Sequence, residues 1–137
     1  MIKFNEVNVG DQLPILTTNP ISRTTLALFA GASGDHNPIH IDLDFAKRAG
    51  LNDVIAHGML SMAYLGRLLT GWVPQNAIKG IEVRFTAITQ VFAKITCSGI
   101  VKEKLIRDGK QIIQILVEAK DEHNEVKVSG IAEIQID

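Results

Sequence analysis

The run Ala56-His57-Gly58-Met59-Leu60-Ser61-Met62-Ala63-Tyr64-Leu65-Gly66-Arg67-Leu68-Leu69-Thr70-Gly71 decides how this 137-residue chain folds. Met59, Leu60, Met62, Ala63, Leu65, Leu68 and Leu69 cover more than one face of a helix starting near His57-Gly58. That spread predicts a helix enclosed on most sides rather than one lying on a surface. The material to enclose it follows in sequence. Ile81, Val83 and Phe85 alternate with other residues, as do Ile95, Cys97 and Gly99, then Ile113, Ile115 and Val117. Val126, Val128, Gly130, Ala132 and Ile134 complete the pattern, which is that of strands. Asp108-Gly109 and Glu122-His123-Asn124-Glu125 read as hairpin turns. Four strands joined in this way predict an antiparallel meander. The fold class expected is α+β, an antiparallel sheet wrapped around a long central helix.

Upstream the pattern is less regular. Val9-Gly10-Asp11 is a turn signal, and Leu13, Ile15 and Thr17 alternate. Pro14 and Pro20 confine that strand to an edge or an irregular position. Ser22 is placed to cap a helix through Leu26, Phe29 and Ala30, ended by Gly31, Ser33 and Gly34. A short helix is expected from Asp44 to Arg48, stopping at Gly50.

Composition narrows the function classes. The net charge is -1 and the Lys and Arg residues are scattered, so there is no nucleic-acid footprint. Cys97 is the only cysteine, which rules out an internal disulfide. In a strand-like run it reads as a small buried hydrophobe and fits a reducing compartment. The N-terminus lacks an apolar signal core, and no apolar run reaches membrane-spanning length. One domain over residues 1–137 with a cytoplasmic location is the expectation.

Two segments carry chemistry. Gly34-Asp35-His36-Asn37-Pro38-Ile39-His40 sets a carboxylate and an imidazole five positions apart. Pro38 fixes its own φ and pushes Asn37 toward extended backbone. A rigid turn of this kind aims Asp35 and His40 at one small volume, the geometry that acid–base work needs first. The bland alternative is that Asp35 and Asn37 cap local backbone groups while His40 is a satisfied core histidine. The second segment is Ala56-His57-Gly58-Met59. Gly58 opens the long helix, so its N–H has no intrahelical partner. With no side chain it admits a substrate oxygen closely, where an N–H donor stabilises developing negative charge. His36, His40, His57 and His123 show no metal-ligand spacing, and Ser33 and Ser61 sit in no nucleophile elbow.

Together these segments resemble the MaoC-like, or R-specific enoyl hydratase (hydratase 2), family of hot dog fold enzymes. Its Gly-Asp-x-Asn-Pro-apolar-His motif stands unsubstituted at Gly34 to His40, and its Ala-His-Gly-Met motif at Ala56 to Met59. Val9-Gly10-Asp11 and Val83-Arg84-Phe85 match further. The likeness extends to the catalytic B subunit of the mycobacterial (3R)-hydroxyacyl-carrier-protein dehydratases. The shared stretches there are Gly10 to Pro14, Ile55 to Leu60 and Val83 to Ala87. One departure is plain. Many members follow the Arg-Phe strand with Pro-Val and then Gly-Asp at a turn, whereas this chain reads Ala87-Ile88-Thr89-Gln90-Val91-Phe92. The turn geometry before Phe92 is thereby left open.

The resemblance implies a hot dog fold and a reversible addition of water to a trans-2-enoyl thioester, giving a (3R)-hydroxyacyl thioester. Asp35 and His40 would hold the water, and the Gly58 N–H would meet the thioester oxygen. Asn37 would brace the turn or bind the substrate on its carbonyl side, and His57 is counted with the substrate-binding residues. Tyr64, Leu65, Gly66 and Leu69 are the expected acyl-tunnel wall, against the bland reading of core packing. Arg84 would meet a phosphate of the carrier arm, against the bland reading of a solvated strand charge. No cofactor or metal is implied. The substrate rides on coenzyme A or acyl carrier protein, and a homodimer is expected. The alternatives are a non-catalytic partner subunit of a hot dog heterodimer, or a hot dog thioesterase.

Overall fold

The computed structural model describes residues 1–136. In chain order the elements are β1 (Leu16–Thr17), α1 (Arg23–Ser33), α2 (Leu43–Arg48), β2 (Ile55–Ala56), α3 (Gly58–Thr70), β3 (Ile78–Phe85) and β4 (Thr89–Gln90), followed by the long strands β5 (Thr96–Arg107), β6 (Lys110–Lys120) and β7 (Val126–Ile136).

Local chemistry sets the helix ends. Ser22 accepts a hydrogen bond from the Thr25 N–H at the start of α1, and Gly34 closes that helix in the left-handed conformation. Asp42 caps α2 through the Phe45 N–H. The β5–β6 hairpin turns at Asp108 and Gly109, both with positive φ (52° and 74°), as a two-residue turn matched to strand twist requires. In the β6–β7 turn Asn124 takes φ 62° while Asp121 accepts from the His123 and Glu125 N–H groups.

A five-stranded antiparallel sheet in the order β1-β5-β6-β7-β3 curls around α3, and a second small ladder pairs β2 with β4. The concave face carries Cys97, Val101, Ile113, Ile115, Val117, Ala119, Val128, Ala132 and Ile134, all buried. Leu65 and Leu69 of α3 are fully buried with them. Burying an aliphatic side chain of this size stabilises the fold by about 1.5–3 kcal/mol. Burial also pushes the Cys97 thiol up to about 12, so it is a packing group and not a nucleophile.

Three expectations need correction. The four long strands are not a simple meander: β5, β6 and β7 are, but β3 pairs with β7 at the far edge. The β3–β5 connection is long enough to cross the sheet and carries β4 with it, so sequence neighbours are not ladder neighbours there. Next, α3 is not enclosed on most sides. Met59, Ala63 and Arg67, one turn apart, are exposed, a stripe that the curled sheet leaves open. Finally, the N-terminal alternation yields a strand of just two residues, Leu16 and Thr17, paired with Cys97 and Thr96.

The turn left open before Phe92 is also resolved. Phe92 itself adopts φ 68°, a conformation that costs an ordinary residue about 1–2 kcal/mol. Its N–H donates to the Ile21 carbonyl at 2.7 Å, and the Arg23 guanidinium lies over its ring.

Candidate active site

The two motif segments meet at the mouth of α3. After α1 ends at Gly34, the Asn37 side chain accepts from the Ile39 N–H, and Pro38–His40 form one turn of 3-10 helix. The Asp35 carboxylate accepts from the Asn37 N–H at 3.3 Å. These contacts bend the chain back so that the Asp35 carboxylate and His40 Nε2 stand 3.8 Å apart. That gap is too long for a direct hydrogen bond, yet one oxygen atom fits within hydrogen-bond reach of both groups. Their surroundings differ. The Asp35 side chain is 51% exposed, whereas that of His40 is buried.

The tautomer of His40 follows from its partner. Nδ1 lies 2.7 Å from the Ile55 carbonyl, which only accepts, so Nδ1–H donates to it and Nε2 is the ring nitrogen that faces Asp35. Gly58 opens α3 on the other side, its N–H without an intrahelical acceptor. The cleft that joins them has a volume of about 540 Å³. Asp35, His40 and Gly58 are at its head, and Ile55, Ala56, Met59 and the segment Phe85–Thr89 form its apolar walls.

Sequence reasoning assigned His57 to the substrate, but it lies behind the cleft. Only 1% of it is exposed. Its ring stacks on that of His40 with centroids 3.8 Å apart and meets Phe29 edge-on. Its Nε2–H donates to the Asp35 carbonyl at 3.1 Å, leaving Nδ1 as a buried acceptor without a partner among the described residues. His57 thus touches both members of the pair and steadies them from beneath. Burial holds its pKa below the ordinary histidine value, against the Asp35 carbonyl bond, which raises it.

A measurable pH dependence of stability follows. With a folded pKa below the unfolded one, the unfolded chain takes up this proton first. The stability tied to neutral His57 is therefore complete above about pH 6.5 and declines as pH falls through the depressed folded value. His57→Gln keeps a donor for the Asp35 carbonyl but does not titrate. Urea midpoints at neutral and mildly acidic pH are expected to fall less in the variant than in the wild type. Equal slopes would remove His57 as the source.

Asp35, His40 and His57 also bring three metal-type donor atoms within 4.8 Å of one another. The His40 and His57 rings are stacked at an interplanar angle of 24°, so their in-plane lone pairs run side by side instead of converging. Their ring planes meet well beyond the roughly 2 Å of a metal–nitrogen bond. This arrangement is poorly made for holding one ion through both rings.

The expected acyl wall is placed elsewhere. Leu65 and Leu69 face the sheet in the core, and neither lines the cleft. Tyr64 borders a separate polar depression with Thr17, Thr18, Asn19, Thr25 and Arg67. Gly66 is not among the cleft residues, and a methyl group on it would meet nothing within 4 Å. Arg84 is exposed on β3 and is not among the cleft residues. Asn37 spends its side-chain oxygen on the turn, the structural half of its expected role. The residues missed were Ile55, Ala56, Met59 and the run Phe85, Thr86, Ala87, Ile88 and Thr89. The one available signal was the break in alternation after Phe85.

The MaoC like domain family model matches residues 6–127. Among curated proteins, an (R)-specific enoyl-CoA hydratase of Rhodospirillum rubrum is 32% identical over 107 residues, covering 74% of this chain and 73% of that protein. The fatty acid synthase subunit beta of Saccharomyces cerevisiae is 28% identical over 95% of this chain, which spans 6% of the synthase subunit's length. Among solved structures, an unliganded R-hydratase of Pseudomonas aeruginosa superposes with a TM-score of 0.84 at 29% identity, covering 96% of this chain and 83% of that one.

Proposed function

The chain belongs to the MaoC-like domain family, and from that premise we propose that it is a hydro-lyase interconverting trans-2-enoyl and (3R)-hydroxyacyl thioesters. The observation that carries the proposal is the 3.8 Å gap between the Asp35 carboxylate and His40 Nε2 at the head of an apolar cleft opened by the first N–H of α3. One water can sit within hydrogen-bond distance of both groups. Its oxygen bonds to C3 of the enoyl thioester while one of its protons passes to the pair, and a proton from the pair reaches C2. The C2–C3 π bond is consumed, and dehydration is the reverse. Negative charge that builds on the thioester oxygen meets the Gly58 N–H, where such donors act most strongly in a water-poor site. The Met59, Phe85 and Ile88 side chains would flank the acyl group, replacing the wall expected along α3.

The names of the relatives support this reading: several are enoyl-CoA hydratases or 3-hydroxyacyl thioester dehydratases. The substrate carrier is coenzyme A or acyl carrier protein. No helix of the described residues is long and apolar enough to cross a membrane. We place the chain in the cytoplasm, as one domain over residues 1–137, acting as a homodimer. Among the described residues β3 has no strand on its outer side, and an open edge of eight residues invites pairing. Exposed Met59 and Ala63 of α3 form an apolar stripe of their own. Sedimentation is expected to give a dimer, and a fully active monomer would contradict it.

Following enoyl absorbance together with trapping of free thiol tests the reaction itself. Hydration removes the absorbance and liberates no thiol, whereas a thioesterase liberates thiol in step.

Gly58 gives a sharper test of the site. A Cβ there would sit 2.8 Å from Phe85 Cδ1, so Gly58→Ala drives the ring into the cleft while keeping the N–H. The expected loss is about tenfold in kcat/KM, the scale of a small misplacement of a bound substrate. Adding Phe85→Ala should return part of it. Unchanged steady-state kinetics in Gly58→Ala would show that this approach is irrelevant to turnover.

A further inference from the structure

Lys127 is the second residue of β7, between Val126 and Val128, and only 3% of it is exposed. An ammonium in such a place forfeits its hydration, a loss made good only where it is both paired and hydrogen-bonded. Here it is both. Nζ stands 3.3 Å from the Asp121 carboxylate, contacts the Glu125 carboxylate, and donates to the Ile88 carbonyl at 2.8 Å. Ile88 belongs to the wall of the cleft.

The same part of β7 grips that wall twice more. The Thr86 N–H donates to the Lys127 carbonyl at 2.9 Å, and the Thr86 hydroxyl to the Val126 carbonyl at 2.8 Å. Beyond Ile88 the wall runs into β4, where Thr89 and Gln90 pair with Ala56 and Ile55. The Ile55 carbonyl in turn receives the His40 Nδ1–H. The segment Thr86–Thr89 is therefore slung between β7 and the strand that steadies His40. Its tip is fixed by one buried charge-assisted bond, a stronger tether than a neutral hydrogen bond.

We infer that Lys127 is a positioning residue that holds the Thr86–Thr89 wall at the spacing the acyl thioester needs, acting through the Ile88 carbonyl. Its action on substrate rests on the hydratase reading, but the anchoring of the wall does not. Lys127 touches no reacting atom, so its removal should loosen binding more than chemistry.

The test uses the full chain carrying Lys127→Met. Amide hydrogen exchange in peptides spanning residues 86–90 is expected to speed up at least about tenfold, while exchange in β5 and β6 holds. With enoyl thioester substrates KM is expected to rise about five- to tenfold and kcat to stay within about threefold of the wild type. Glu125→Gln removes one carboxylate at a largely exposed position. It should shift both readouts the same way by less, and it carries the test if Lys127→Met does not fold. Unchanged exchange over 86–90 in a folded variant overturns the anchor. A fall in kcat with KM unchanged overturns the positioning role. If the wild type hydrates no enoyl thioester, the hydratase reading fails, while the exchange measurement still decides whether Lys127 anchors the wall.

Discussion

Asp35→Asn and His40→Asn are each expected to lose about a thousandfold or more of the hydration rate while folding as the wild type does. Positioned acid–base groups supply about 10²–10⁴ in rate, and in the proposed reaction both groups act on the same water. The substitutions are chosen to spare the fold. The Asp35 side chain is half exposed, so its amide is easily accommodated. His40 is buried and its Nδ1–H satisfies the Ile55 carbonyl. Alanine would remove that donor from the carbonyl at a cost of about 1–3 kcal/mol. An asparagine amide nitrogen can replace Nδ1 as donor while offering nothing in place of Nε2. Circular dichroism and thermal melts establish folding, and loss of enoyl absorbance reads the rate. Since the two groups work as a unit, the double variant should be hardly slower than the worse single one. Rates that multiply would mean that the two act on separate steps.

Gly130→Ala is the substitution expected to cost most stability. Gly130 pairs with Val83 across β3–β7 and with Val117 on β6. A Cβ there would fall 1.9 Å from the Glu82 carbonyl oxygen and 2.7 Å from Val83 Cα. Both obstacles are backbone, so no side-chain rotation relieves the clash, and β3 has to move away from β7. Overpacking against a fixed backbone costs about 3 kcal/mol, read as a lower urea midpoint at unchanged slope. Because β3 ends at Phe85 in the cleft, substrate affinity should fall as well. Gly80→Ala is the control: it lies on the same strand pair, with nothing within 4 Å of an added Cβ. Its cost should stay below about 1 kcal/mol. Equal midpoints for the two variants would show that the close approach at Gly130 does not constrain the sheet.

What was legible in the sequence is what depends on near neighbours. Asp35 and His40 converge because Asn37 and Pro38 fix five residues of chain, and that constraint is written locally. The same holds for the Ser22 cap, the Gly34 stop and the Asp108-Gly109 turn. Pairing of β3 with β7 is different. It joins residues about fifty positions apart, and alternation identifies strands without naming their partners. Leu65 and Leu69 illustrate a second limit. Apolar periodicity shows that a residue is buried, but not whether protein or substrate covers it, and here the sheet does. The cleft wall at Phe85–Thr89 carries no catalytic group, so nothing in its residue types announced it. Lys127 shows a third limit. A lysine in an alternating strand reads as solvent-facing, and only the Asp121 and Glu125 carboxylates arriving from the turn make its burial tolerable.

Hydration of an enoyl thioester in deuterium oxide, with the product resolved by NMR, probes the shared water most directly. Asp35 and His40 reach the cleft from one side, so hydroxyl and deuteron should arrive on the same face. The prediction is a single (3R) diastereomer with one deuterium at C2, syn to the new hydroxyl. Addition to opposite faces, or a mixture of C2 epimers formed at the rate of turnover, would contradict it.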